Sequence, residues 1–180
     1  MDMIEIRIHG RGGQGAVIAS QILASAFFKE GKFSQCFSSF GGERRGAPVV
    51  SFIRVADRRI RLRCGVTSPD QVVVLDCSLM DFGGITAGLK EGGLLLINTD
   101  RGPEEVKLDG PYHIFTVDAN AIARKHNLGG IVNTAMVGAY ARASGLLSID
   151  SVVEALLDAV PANPRANESA AREAFQEVKG

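Results

Sequence analysis

Near the amino terminus three alternating isoleucines run into a glycine-dense turn, and that junction limits the available folds more than any other stretch. Ile4, Ile6 and Ile8 alternate with Glu5, Arg7 and His9, the two-residue period of a strand with one buried face. Gly10-Arg11-Gly12-Gly13-Gln14-Gly15 follows, and beyond it Val17, Ile18, Ile22, Leu23, Ala26 and Phe27 recur at helical spacing. Strand, glycine turn and helix in that order predict the opening of an α/β domain. Gly10, Gly12 and Gly15 satisfy G-x-G-x-x-G, in which small residues allow a tight turn, close approach of backbone to a ligand, and close packing of helix on strand. Backbone amides at such a helix start suit an anion.

A dinucleotide site needs more than the glycines. That fingerprint requires an Asp or Glu about 20 residues further on, at the end of the second strand, to hold a ribose hydroxyl. Here the candidate second strand, Phe33 to Phe37, runs into Ser38-Ser39-Phe40 with no acid, and Glu43 comes later, inside a second glycine-rich loop beside Arg44 and Arg45. A turn serving packing or another anion fits better than NAD. The segment from Ser38 to Pro48 is too rich in Gly and Pro for a regular element. Its Glu-Arg-Arg core reads equally as a solvated turn and as a clamp for an anion or a partner, since guanidinium forks grip phosphate and carboxylate in bidentate fashion.

Two β-rich runs, 49–55 and 59–64, lie three residues apart and predict an antiparallel hairpin. In the second run Arg59, Arg61 and Arg63 alternate with Ile60, Leu62 and Cys64, so the arginines either shield an exposed sheet edge or form a basic surface for a partner or phosphate-bearing ligand. Val72 to Leu75 and Leu94 to Asn98 are unalternating apolar strands buried on both faces, with a helix expected between them from Leu79 to Leu89. Asp76, at the carboxyl end of the first of these, sits where open α/β sheets place ligands, and is equally suited to a loop acid or helix cap. Tyr112 to Val117 predicts another strand, Asp118 caps a helix from Ala119 to His126, and further helices are expected from about Asn133 to Ser144, from Asp150 to Ala159 and from Ala166 to Val178. Ala135, Gly138, Ala139 and Ala141 permit close approach of a neighbouring element. The expected architecture is α/β: a single three-layer α/β/α domain over 1–180, Rossmann-like, with a mostly parallel sheet and one antiparallel hairpin.

Composition removes several function classes. Lys plus Arg equals Asp plus Glu at 20 each, so no overall field draws nucleic acid or an anionic membrane, and any anion site is local. Three isolated cysteines, Cys36, Cys64 and Cys77, fit a reducing cytoplasm and fall short of the four thiolates of an ordinary iron–sulfur cluster. His9, His113 and His126 share no metal-binding spacing, so no metal site is expected, and with neither a G-x-S-x-G nucleophile turn nor a P-loop lysine after the glycines no catalytic residue is expected. No apolar run approaches the ~20 residues of a membrane span, and no leader pattern is present, which predicts a soluble, unexported chain.

Three stretches together carry a resemblance: Ile6 to Ala16, with Gly-Arg-Gly-Gly-Gln-Gly; Ser39 to Val49, with Gly-Glu-Arg-Arg-Gly; and Asn133-Thr134-Ala135-Met136-Val137-Gly138-Ala139. With these motifs the chain resembles the gamma subunits of 2-oxoacid:ferredoxin oxidoreductases, including those of the pyruvate and branched-chain ketoacid (ketoisovalerate) enzymes, over nearly its whole length. The resemblance implies a subunit, inactive alone, of an oxidoreductase that converts a 2-oxoacid to acyl-coenzyme A and passes electrons to ferredoxin. It further implies that this chain holds no cofactor, that thiamine diphosphate, magnesium and iron–sulfur clusters reside in alpha, beta and ferredoxin-like delta partners, and that this subunit scaffolds the complex. Arg11, Gly12, Gly13, Gln14, Gly15, Arg44 and Arg45 are then the candidate contacts to coenzyme A or to a subunit interface. The alternative is a stand-alone nucleotide- or phosphate-binding protein using the same glycine turn.

Overall fold

The computed structural model describes residues 2–40, 46–82, 84–160 and 162–180. Six strands form one sheet in the order β2-β3-β1-β4-β5-β6, with β1 Ile4–Arg11, β2 Phe33–Phe40, β3 Pro48–Ala56, β4 Gln71–Val74, β5 Leu94–Asn98 and β6 His113–Val117. The pairings β1–β4, β4–β5 and β5–β6 are parallel, whereas β3 is antiparallel to both β1 and β2. Among the described residues there are five α-helices: α1 Ala16–Lys29, α2 Ala119–Lys125, α3 Asn133–Ser144, α4 Ile149–Ala159 and α5 Pro164–Glu177. No described helix is long and apolar enough to cross a membrane.

Alternation along the strands sorts the core into two clusters. Ile6, Ile8, Ile53, Val55, Val73, Leu75, Leu94 and Leu96 face one way, into a single cluster with buried residues from all five helices. Val72, Val74, Leu95 and Ile97 face the other way, into a smaller cluster closed by Leu79, Ile85 and Leu89. The helical layer is thus regular and the opposite layer is not. It is built of short 3-10 turns, Cys77–Phe82 and Pro103–Glu105, joined by irregular chain. The helix expected from Leu79 to Leu89 is absent, and the sequence explains it: Gly83, Gly84 and Gly88 interrupt the run, and Gly88, at φ 74°, lies so close to Thr67 that a Cβ would meet its carbonyl oxygen at 2.0 Å.

The antiparallel hairpin exists but joins different strands from those expected. It is made by β2 and β3, while residues 59–64 form no strand. β2 runs through Ser38 and Ser39 because its partner offers matching groups: Ser38 and Ser51 share a 2.8 Å hydroxyl hydrogen bond, and the opposed rings of Phe37 and Phe52 lie 5.1 Å apart. The chain then crosses the non-helical face of β1 to reach β4, passing Gly65 close to Arg54, whose Nη2 donates to the Gly65 carbonyl at 3.3 Å.

The small residues of α3 act as the sequence predicts. A Cβ at Gly138 would stand 2.0 Å from the carbonyl oxygen of Ala171, so α3 and α5 touch backbone to backbone. Asp118 caps α2 by accepting from the Ala121 amide at 2.8 Å, and Ser148 caps α4 by accepting from the Ser151 amide at 3.1 Å.

Candidate functional site at the β1–β4 switch point

Chain direction makes the site. From β1 the chain leaves towards β2 by way of α1, and on the other side of β1 it enters β4, so connections diverge between these two strands. In open α/β sheets the crevice beyond the carboxyl ends of such a pair is where ligands bind. Two loops meet there: the glycine turn Arg11 to Gly15 and the segment Asp76 to Ser78.

Asp76 is the hub. Its Oδ2 accepts from Gln14 Nε2 at 2.8 Å and pairs with Arg11 Nε at 3.2 Å, while its Oδ1 accepts from the Ser78 hydroxyl at 2.6 Å and the Ser78 amide at 3.0 Å. Burial alone would raise the Asp76 carboxyl, but the hydrogen bonds from Ser78 and Gln14 and the neighbouring Arg11 charge outweigh it, holding the group below the ordinary carboxylate value. Arg11 also donates to Ser78 Oγ at 2.8 Å and to the Gly46 carbonyl at 3.2 Å. Gln14 closes the turn on itself, because its Oε1 accepts the Arg11 amide at 2.8 Å.

The two glycine-rich signatures are joined by backbone. The Gly12 amide donates to the Ala47 carbonyl at 2.8 Å, and the Gly46 amide donates back to the Gly12 carbonyl at 3.1 Å. These bonds continue the β1–β3 ladder past its last pair, Arg11 and Pro48, and fasten the end of the hairpin loop to the glycine turn. Arg44 and Arg45 belong to that loop and lie outside the described residues.

Gly15 begins α1 with φ 78° and no side-chain cap, and a Cβ there would meet Asn133 Nδ2 at 2.4 Å. That contact brings the start of α3 against the start of α1. Asn98, fully buried at the end of β5, accepts the Ala119 amide at 3.0 Å and donates to the Leu75 carbonyl at 2.9 Å, which fixes the ends of β4 and β5 and the start of α2. Beside Ser78 a groove of about 640 Å³ opens between the ends of β4 and β5. Its cations Arg101 and Lys107 are offset by Asp81, Asp100 and Glu105, so it carries no clear sign.

Arg11, Gly12, Gly13, Gln14 and Gly15 therefore come together, with Arg11 and Gln14 both turned onto Asp76. No sequence motif points to Ser78 as a site residue, whereas Ala47 and Asn133 lie within the second and third stretches of resemblance. The stand-alone dinucleotide reading loses its geometric basis. β3 lies between β1 and β2, so the second strand is not beside the first where a ribose-binding acid is needed. Among the described residues no three His, Cys, Asp or Glu side chains gather as metal ligands.

Comparison with known proteins places this geometry in a family. A family model described as pyruvate ferredoxin/flavodoxin oxidoreductase matches residues 5–177. The common gamma subunit of pyruvate and ketoisovalerate oxidoreductases from Thermococcus litoralis is 51% identical over 180 residues, covering 98% of this chain and 97% of that one. The pyruvate synthase subunit PorC of Methanocaldococcus jannaschii is 52% identical over 156 residues, 87% of this chain and 85% of its own. Among solved structures, the pyruvate oxidoreductase subunit PORC of Thermotoga maritima superposes with a TM-score of 0.88 at 38% identity, over 99% of this chain and 98% of that one. The chain belongs to the pyruvate ferredoxin/flavodoxin oxidoreductase family.

Proposed function

We propose that this chain is the gamma subunit of a 2-oxoacid:ferredoxin oxidoreductase complex, working on pyruvate or a branched-chain ketoacid, and that it serves as scaffold and as part of the approach for coenzyme A. The observation that carries the reading is end-to-end similarity: relatives named as gamma subunits match at about half identity over nearly the full length of both chains. Thiamine diphosphate, magnesium and iron–sulfur clusters then belong to alpha, beta and ferredoxin-like delta partners, where the ketoacid is decarboxylated and electrons leave for ferredoxin. In this account the chain is a cytoplasmic protein.

The local chemistry divides the candidate residues by role. The Arg11 guanidinium is committed to Asp76, Ser78 and Gly46, so its part is to set the shape of the glycine turn. Asp76 brings a negative charge to the same crevice, and the pair is close to neutral. A phosphate-bearing ligand at this edge needs additional positive charge, and Arg44 and Arg45 are the nearest source in sequence to the clamped Gly46. The backbone amides of Gly13 and Gly15 at the start of α1 add a fixed dipole of the same sign, while the Gln14 amide is held by the Arg11 carbonyl at 3.0 Å.

Reconstitution tests the reading. The reconstituted complex carrying Arg44→Ala and Arg45→Ala should show a raised KM for coenzyme A with the KM for the ketoacid unchanged. An unaltered KM for coenzyme A removes the contact and leaves the scaffold. If instead the purified chain alone oxidises a ketoacid, the subunit assignment itself fails.

A further inference from the structure

Residues 58–64, Arg-Arg-Ile-Arg-Leu-Arg-Cys, have the composition and alternation of a strand but no strand to pair with. No backbone group from 58 to 68 makes a backbone–backbone hydrogen bond among the described residues. The simple explanation for the arginines, that they shield an exposed sheet edge, does not apply: the edge strands are β2 and β6, and 59–64 belong to neither. Arg58, Arg59, Arg61 and Arg63 are all exposed, and none has an ion-pair or hydrogen-bond partner among the described residues. Leu62 between them is 46% exposed. Asp57, the nearest acid in sequence, is already paired with Lys32 at 2.7 Å.

A segment outside any helix or hydrogen-bonded turn, with bare amides and carbonyls, can serve as a template for strand addition, and alternate side chains then decide which strand is accepted. Four unpaired guanidiniums in a chain of zero net charge select carboxylates, because Arg binds them in bidentate fashion and is less strongly hydrated than Lys. We propose that residues 59–64 are a docking strand that pairs with an extended, acidic segment of a partner subunit, Arg59, Arg61 and Arg63 meeting its carboxylates and Leu62 covered by its apolar side chains. The proposal rests on the reading of this chain as a subunit of a complex.

Hydrogen exchange tests it without altering the chain. The peptide spanning 59–64 should exchange at close to the unstructured rate in the isolated protein and at least about tenfold more slowly in the complex assembled by co-expression with the other subunits. The variant R59E/R61E/R63E should melt as the wild-type chain does, since these side chains are exposed, yet be retained by its partners about tenfold less, while R59K/R61K/R63K keeps most of the retention and shows stronger salt sensitivity. Equal exchange of 59–64 in the free and assembled chain overturns the proposal, as does wild-type retention of the charge-reversed variant. Protection of 59–64 by coenzyme A or a short oligonucleotide added to the isolated chain also overturns it, assigning the arginines to a phosphate ligand. Failure of the wild-type chain to retain any partner subunit is a separate result: it removes the subunit reading, and this inference with it.

Discussion

The two faces of β1 are held by different physics. On the helical side Ile6 and Ile8 are fully buried among residues of all five helices. On the other side Arg7 and His9 are buried and Glu5 half-buried, covered not by a helix but by irregular chain that includes Gly65 and Ile85, and with Arg54 of β3 they form a polar layer carrying an ion pair. Arg54 is 1% exposed; its Nε pairs with Glu5 at 2.7 Å, its guanidinium lies 5.5 Å from the centre of the Phe37 ring, and its Nη1 has no hydrogen-bond partner among the described residues. Arg7 donates to His9 Nε2 at 3.0 Å and to the Ile85 carbonyl at 2.7 Å. An apolar face tolerates many fillings of the right volume, whereas a buried charged face tolerates only those that keep every charge paired.

The contrast is sharpest at Arg54. Arg54→Ala leaves Glu5 without its partner and opens a hole, and should cost about 3–5 kcal/mol in denaturant unfolding, at least as much as truncating Ile8 on the other face. Combining Arg54→Met with Glu5→Gln should recover most of the loss, and failure to recover it would mean that packing, not pairing, governs this layer.

The charged layer should also respond to acid where the apolar one cannot. Burial, reinforced by the Arg7 charge, lowers His9 from 6.5 to about 4. The unfolded chain therefore takes up the proton first, so stability is full above pH ~6.5, falls as pH drops towards ~4 and levels below it. The loss across that window is about 3 kcal/mol, and His9→Gln should flatten it when unfolding curves are compared between neutral pH and the folded-state value. Asp76, held below its ordinary value, adds a further loss only at lower pH.

A steric test probes the helical side. Gly138→Ala drives a methyl into the Ala171 carbonyl and should lower stability by about 1–3 kcal/mol, read as a fall in Tm, with the separation of α3 and α5 increased. The smallest effect is expected between the faces, at the strand ends. Asp76→Asn should cost about 1 kcal/mol because the site is partly exposed, but amides of residues 11–15 should exchange faster as Arg11 and Gln14 lose their common acceptor.

Local pattern made the near face legible and the far face opaque. The strand, turn and helix from Ile4 to Lys29, the apolar strands β4 and β5, the Asp118 cap and the close approach at Gly138 follow from period, caps and side-chain size, all written within a few residues. Alternation in β1 reads as one buried face and one wet one, yet both are buried, because what covers Arg7 and His9 comes from residues about 80 positions away, such as Ile85. Residues 59–64 have the alternation of a strand, but alternation reports what a segment suits, not whether a partner lies beside it. The site shows the same limit. Arg11, Gln14 and Asp76 are each visible in sequence, but their convergence depends on β1 and β4 being parallel neighbours, a pairing no local signal announces.

The hairpin that separates β2 from β1 has a consequence for synthesis. β1, α1, β2 and β3 are contiguous in sequence, so half of the sheet is complete once Ala56 has left the ribosome. At that stage Glu5 and Arg54 can already meet, while the segment that will cover Arg7 has yet to emerge. The nascent chain thus keeps the Arg7 guanidinium hydrated until late, and dehydrates it only after the Ile85 carbonyl that accepts from it has arrived.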